Sequence, residues 1–156
     1  MNSMDISAFA SKLEHDIIMI VESRLQTICY EEMTKVIRAK VYDGHGNGVY
    51  GRTYEFLQAV TVDNFRVSGG TAEFDVRIDA EKMGVHKQKN FFAHGDFNGS
   101  DQRENMDTFL NDGTRSVNNI KGQPARQYWK AGFESLEKLC YNAMRNGLIA
   151  EGFEVI

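Results

Sequence analysis

Proline is almost missing from this chain: Pro124 is the only one in 156 residues. Its lone position reads as a helix start, where a missing backbone N–H costs nothing. Cysteine is equally scarce. Cys29 and Cys140 lie far apart in sequence, and neither belongs to a Cys-x-x-Cys pair, so a disulfide framework or a zinc knuckle is not expected. The expected state is two reduced thiols packed as small apolar groups on helices. A basic excess is also lacking. The 18 Lys and Arg against 22 Asp and Glu give a formal net charge of -4, which argues against a protein that wraps DNA by displacing phosphate counterions. Long apolar runs are absent as well. The longest, Ile17 to Val21, is far too short to cross a bilayer, and Glu14, His15 and Asp16 interrupt anything like a secretory signal. The expectation is action in the cytoplasm, or in a particle assembled there, with no membrane partner.

What remains is an ordinary globular composition, 42% hydrophobic and 26% charged, at a length that suits one domain. The apolar residues Ile6, Phe9, Leu13, Ile17, Ile20, Val21, Leu25, Ile28 and Val36 recur mostly at three- and four-residue steps. That spacing predicts an amphipathic helix over 6–37 capped by Ser3 or Asp5. A continuous helix of this extent reaches roughly 45–50 Å, so the expectation is either a break near Thr27 or a projecting helix. Gly44, Gly46 and Gly48 make the next segment a loop. No strand precedes it and no Lys-Ser/Thr follows, which removes a phosphate-binding loop. A short helix capped by Thr53 follows, with Phe56, Leu57 and Val60 inward and Tyr50 packing back across the turn.

The hairpin is the clearest pattern. Ala72, Phe74, Val76, Ile78 and Ala80 alternate with charged residues, and Val60 and Val62 alternate before a phase shift at Asp63-Asn64 that predicts a β-bulge. Ser68-Gly69-Gly70-Thr71 supplies the turn. Residues 81–103 read as a long loop. Glu104 to Asn111 reads as a short helix ended by Gly113. A final helix from about Pro124 carries the core stripe Trp129, Phe133, Leu136, Cys140 and Ala143. Its wet face holds Lys130, Glu134, Glu137, Lys138 and Arg145, and a short strand is expected after Gly147. The fold class is therefore α+β, with a long N-terminal helix and a C-terminal helix packed on a small antiparallel sheet. Residues 1–156 form one domain, made of an N-terminal helix region (1–40), a short helix, hairpin and long loop (49–122), and a C-terminal helix with a terminal strand (123–156).

Catalysis finds little support. His86, His94, Asp96 and Asp101, with His45 further off, match no standard metal-ligand spacing and read as solvent-facing. No Gly-x-Ser-x-Gly elbow is present, and neither cysteine has a neighbouring base. The acids Glu31-Glu32, Asp75 with Asp79, and Asp96 with Asp101 carry the alternative of a small metal-dependent nuclease. Carboxylates on alternate strand residues fit a solvated hairpin face better, and Glu32 is expected to face water. A partner-binding inhibitor is the other alternative. No catalytic residue, metal or cofactor is expected.

Two blocks carry a resemblance. Leu110-Asn111-Asp112-Gly113-Thr114-Arg115, followed by Pro124-Ala125-Arg126-Gln127-Tyr128, resembles the signature of the HK97 gp10-like family of phage tail-component and neck (tail-completion) proteins. Arg52-Thr53-Tyr54 through Val60 resembles the Arg-Thr-Gly-x-Leu element of the same family, with Tyr54 where the family has glycine. Asn111-Asp112 likewise stand where the family often has Glu-Phe at a strand end. The resemblance implies a structural virion protein of a tailed phage or prophage, a subunit that forms or completes a ring at the head-tail connector, the neck or the tail end. Its implied partners are further copies of itself, neighbouring connector or head-closure and tail proteins, and DNA that passes without specific binding. Arg115, Arg126, Phe91 and Phe92 are the candidate subunit or ring contacts: the arginines by reaching carboxylates or carbonyls, the phenylalanines as exposed loop anchors.

Overall fold

A computed structural model of the chain describes residues 3–43, 54–68, 71–84, 103–113 and 124–155. Helix α1 (Ser3–Ile20), a π-helical turn (Val21–Leu25), α2 (Gln26–Ile37) and a second π-helical turn (Arg38–Tyr42) follow one another. The residues flanking the first turn, Ile20 and Gln26, keep right-handed helical backbone angles, so no break occurs near Thr27. The extra residue in each π turn is visible in its hydrogen bonds: Gln26 N–H donates to the Val21 carbonyl, and Asp43 N–H to the Arg38 carbonyl.

These turns change which side chains face the core. In an α-helix a four-residue step overshoots a full turn by about 40°, and a wider i→i+5 turn absorbs the overshoot. After Val21–Leu25 the sealed positions are therefore Cys29, Met33 and Ile37, each at most 1% exposed. The periodicity of an unbroken α-helix places Ile28 and Val36 there instead, and both are only half-buried. At the other end Ile6 and Phe9, expected in the core stripe, stand more than half exposed at 55% and 56%.

Helix α3 (Glu55–Gln58) follows Tyr54, whose φ of 57° lies in the left-handed region and which makes no side-chain cap. The expected cap, Thr53, and the packing residue Tyr50 lie outside the described residues. Strands β1 (Val60–Ser68) and β2 (Thr71–Ile78) pair as a two-stranded antiparallel sheet. Alternate side chains of β2 are half-buried and exposed in strict succession, as the sequence pattern requires. Strand β1 has nine residues and β2 eight, and Asn64, at the expected phase shift, has a left-handed φ of 55°. Asparagine tolerates that conformation better than most residues.

Helix α4 (Arg103–Asp112) ends at Gly113, with φ at 79°, so a helix and not a strand precedes this glycine. Helix α5 (Tyr128–Ala150) begins four residues later than Pro124 suggests, because Gln127 turns the chain through a left-handed φ of 51°. The helix also continues through Gly147, and residues 151–155 form no strand. Gly147 is buried because it lies against Ile20, where a Cβ would come within 2.9 Å of three side-chain atoms. The helix stop is Gly152, at φ 89°. Gly152 N–H donates to the Ile149 carbonyl and Phe153 N–H to the Leu148 carbonyl, the bond pair of a Schellman ending.

Contacts group the chain into two compact units. The first comprises Met1–Glu32, Thr61–Arg77 and Phe133–Ile156; its buried apolar residues are Ile20, Val21, Leu25, Cys29 and Leu136. Phe153 closes it at one end, meeting the Phe9 ring edge-on at 5.8 Å and lying under the Lys12 ammonium at 4.7 Å. The second comprises Met33–Val60 and Ile78–Gly132, with Met33, Ile37, Val41, Phe56, Leu57, Ala59, Val60, Met83 and Tyr128 buried. The fold class is α+β.

Candidate functional site

Two places concentrate chemistry, one in each unit. In the second unit, α4 and the start of α5 cap each other. The last carbonyls of a helix have no partner within it. Those of Leu110 and Asn111 accept from Arg126 N–H at 3.1 Å, and Asn111 O also accepts from Gln127 N–H at 3.0 Å. In return the Asn111 side-chain oxygen accepts from Trp129 N–H at 3.1 Å, satisfying an orphan donor in the first turn of α5. One helical turn before Asn111, the Asp107 carboxylate accepts from Trp129 Nε1 at 2.8 Å and from the Tyr128 hydroxyl. That hydroxyl is also 3.2 Å from the Asp107 backbone carbonyl. Tyr128 is fully buried, and Phe56 meets its ring edge-on at 5.7 Å. Burial, reinforced by the hydrogen bond and charge of Asp107 and by the charge of Asp112, pushes the Tyr128 hydroxyl far above its ordinary range and keeps it a donor.

In the first unit an open groove of about 880 Å³ runs between the apolar side of β2 and α5. Phe74 and Val76 line one wall and Phe133 and Leu136 the other, with Asp75, Arg77, Glu134 and Glu137 alongside. Cys29 and Cys140 line it too, as free thiols with their sulfurs 3.6 Å apart. The two sulfurs share a hydrogen bond that either thiol can donate, and it lowers the Cys140 pKa against the opposing effect of its burial. The same hydrogen bond, with burial behind it, raises the Cys29 thiol well above its ordinary range. Beside this pair Ser135 donates to Glu32 at 2.6 Å, so Glu32, expected to face water, instead ties α2 to α5. Phe133, placed in the core stripe by its spacing, is 55% exposed.

Of the four candidate contact residues, Arg115, Phe91 and Phe92 lie outside the described residues, as do His45, His86, His94, Asp96 and Asp101. Arg126 is half-buried at the α4–α5 junction, where its backbone N–H holds the end of α4. Asp75 accepts from the Asn64 amide at 2.8 Å, and Asp79 caps the short turn Ala80–Lys82 through Glu81 N–H. Among the described residues no group of three His, Cys, Asp or Glu is placed to hold a metal ion, and no helix is long and apolar enough to cross a membrane. Sequence reasoning missed Asp107. Its only signal is the four-residue step to Asn111, which puts both on one helix face, and nothing in that step announces partners at Tyr128 and Trp129.

These features define a small, helix-rich α+β protein with a mutually capped helix junction and an apolar-walled groove. The chain belongs to the YomN family, whose model matches residues 5–150, and the family is phage-associated. No curated protein and no solved structure matches it.

Proposed function

We propose that this chain is a structural virion protein of a tailed phage or prophage, one that forms or completes the head-tail connector, neck or tail-end ring. The observation that carries the reading is where the exposed large apolar side chains sit. Ile6, Phe9 and Met19 on α1, Tyr30 on α2, and Phe133, Leu139, Tyr141 and Ile149 on α5 are all exposed, and all belong to the first unit. Apolar surface of that kind is what a subunit covers on assembly. The phage-associated family and the two blocks that resemble HK97 gp10-like proteins support the same reading. In this account the protein is not an enzyme. It assembles in the host cytoplasm into the virion, contacts further copies of itself and neighbouring connector and tail proteins, and lets DNA pass without specific binding, consistent with its net charge of -4. Arg115, Arg126, Phe91 and Phe92 serve as subunit contacts.

The test is genetic and then structural. Removing the gene from an inducible phage is expected to leave filled heads and tails unjoined, or tails unfinished, by electron microscopy, and purified wild-type particles are expected to contain the chain in multiple copies. Particles of normal form and titre without the protein would overturn the reading, and magnesium-dependent cleavage of DNA by the purified chain would replace it with the nuclease alternative.

A further inference from the structure

Cys29 on α2 and Cys140 on α5 are 111 positions apart in sequence and 3.6 Å apart at sulfur. Both are free and both line the groove. Cys29 is 1% exposed and Cys140 partly exposed, so Cys140 is the more open of the two to a small reagent. We propose that Cys29 and Cys140 form an oxidisable dithiol site, in which hydrogen peroxide entering the groove converts the two thiols into a disulfide joining α2 to α5. A sulfur–sulfur bond is about 2.05 Å long, so the atoms, 3.6 Å apart, must close by about 1.5 Å on two helices also tied by Ser135 and Glu32.

The chemistry balances in two steps. The Cys140 thiolate attacks one peroxide oxygen, the O–O bond breaks, hydroxide leaves, and Cys140 becomes a sulfenic acid. The Cys29 sulfur then attacks the Cys140 sulfur. The S–O bond breaks, and the departing hydroxide takes the Cys29 proton as water. Two thiols have lost two electrons and two protons, and one peroxide has become two waters. Cys140 suits the attacking role because it is the more exposed of the two and lines the groove, and the hydrogen bond with Cys29 lowers its pKa, which favours the thiolate. Cys29 suits the resolving role because its sulfur lies 3.6 Å from that of Cys140, and it becomes the nucleophile as its proton passes to the departing hydroxide. The site is independent of any role in the virion.

Full-length protein treated with hydrogen peroxide without reductant is expected to lose about 2 Da in intact mass. After unfolding it should offer no alkylatable thiol and yield one cross-linked peptide pair containing positions 29 and 140. In Cys29→Ala the sulfenic acid has no resolving partner, so dimedone should label Cys140 in that variant and not in the native chain. Alkylation of Cys140 at pH 7 should also slow in Cys29→Ala, where the hydrogen bond that lowers its pKa is gone. A native chain that keeps two alkylatable thiols would overturn the proposal. So would one that gains about 32 Da as a sulfinic acid without a cross-link, or that links only to other molecules.

Discussion

The two units use their apolar residues in opposite ways. Among the described residues of the second unit nine apolar residues, from Met33 to Tyr128, are buried, and only Tyr54 is a large apolar group left exposed, stacked on Tyr42 at 4.7 Å. The first unit buries Ile20, Val21, Leu25, Cys29 and Leu136 and exposes eight large apolar residues. Its hairpin contributes half-buried rather than buried side chains, and an open groove separates β2 from α5. A closed core gives stability by itself, whereas apolar surface left open is free for a partner to cover. On the proposed reading the contrast puts stability chiefly in one part of the chain and association in the other, and substitutions should divide accordingly.

The largest stability loss is expected at Tyr128, fully buried and hydrogen-bonded to Asp107. Tyr128→Ala empties an aromatic site beside Phe56 and frees the Asp107 carboxylate from one donor. It should cost about 3–5 kcal/mol in guanidinium unfolding. A loss below about 1 kcal/mol would show that the second unit does not depend on this junction, and the contrast between the units would fail.

A smaller loss is expected at Gly147→Ala. An added methyl would press on Ile20, itself 4% exposed and stiff at its branched Cβ. Overpacking of this kind costs typically about 1–3 kcal/mol, and better helix propensity returns about 1 kcal/mol. The net expectation is a loss of about 1 kcal/mol. Unchanged or raised stability would mean that Ile20 yields, and that the helix contact in the first unit is as loose as its surface is open.

How much of this is legible in the sequence depends on the range of the interaction involved. The hairpin is readable because alternation is a nearest-neighbour pattern, and the phase shift at Asp63-Asn64 falls where Asn64 takes a left-handed φ. The end of α4 was readable in Gly113. The core stripe of the long helix was not. A π turn leaves no residue-type mark, yet it moves every later position by one, so that Cys29 and Ile37 replace Ile28 and Val36. Gly147 and Gly152 look alike as letters, and only the approach of Ile20 tells the packing glycine from the stop. Tyr54 and Asn111, where the chain departs from the HK97 gp10-like pattern, both have local work that a motif comparison cannot display. Tyr54 holds a left-handed backbone where that pattern has the residue best suited to it, and Asn111 caps the helix that follows. The meeting of Cys29 with Cys140 required both helices to be in place before either sulfur had a neighbour.

The sharpest use of the comparison is a change that leaves stability almost alone. Phe133 and Tyr141 stand on α5 with exposures of 55% and 63%. Replacing both with serine removes apolar surface already in contact with water, so the unfolding free energy should move by no more than about 0.5 kcal/mol per site. Burial in an interface would make the same pair expensive to lose, since aromatic anchors commonly cost about 2 kcal/mol or more each. Two such anchors correspond to a loss of several hundredfold or more in association, at about 1.4 kcal/mol per factor of ten. Complementing a phage that lacks the gene with Phe133→Ser/Tyr141→Ser should therefore yield a folded chain, verified by its unfolding curve, that is missing from purified particles. If the doubly substituted chain enters particles at the wild-type copy number, α5 is not an assembly face, and the open apolar surface of the first unit has to be explained by something other than a partner.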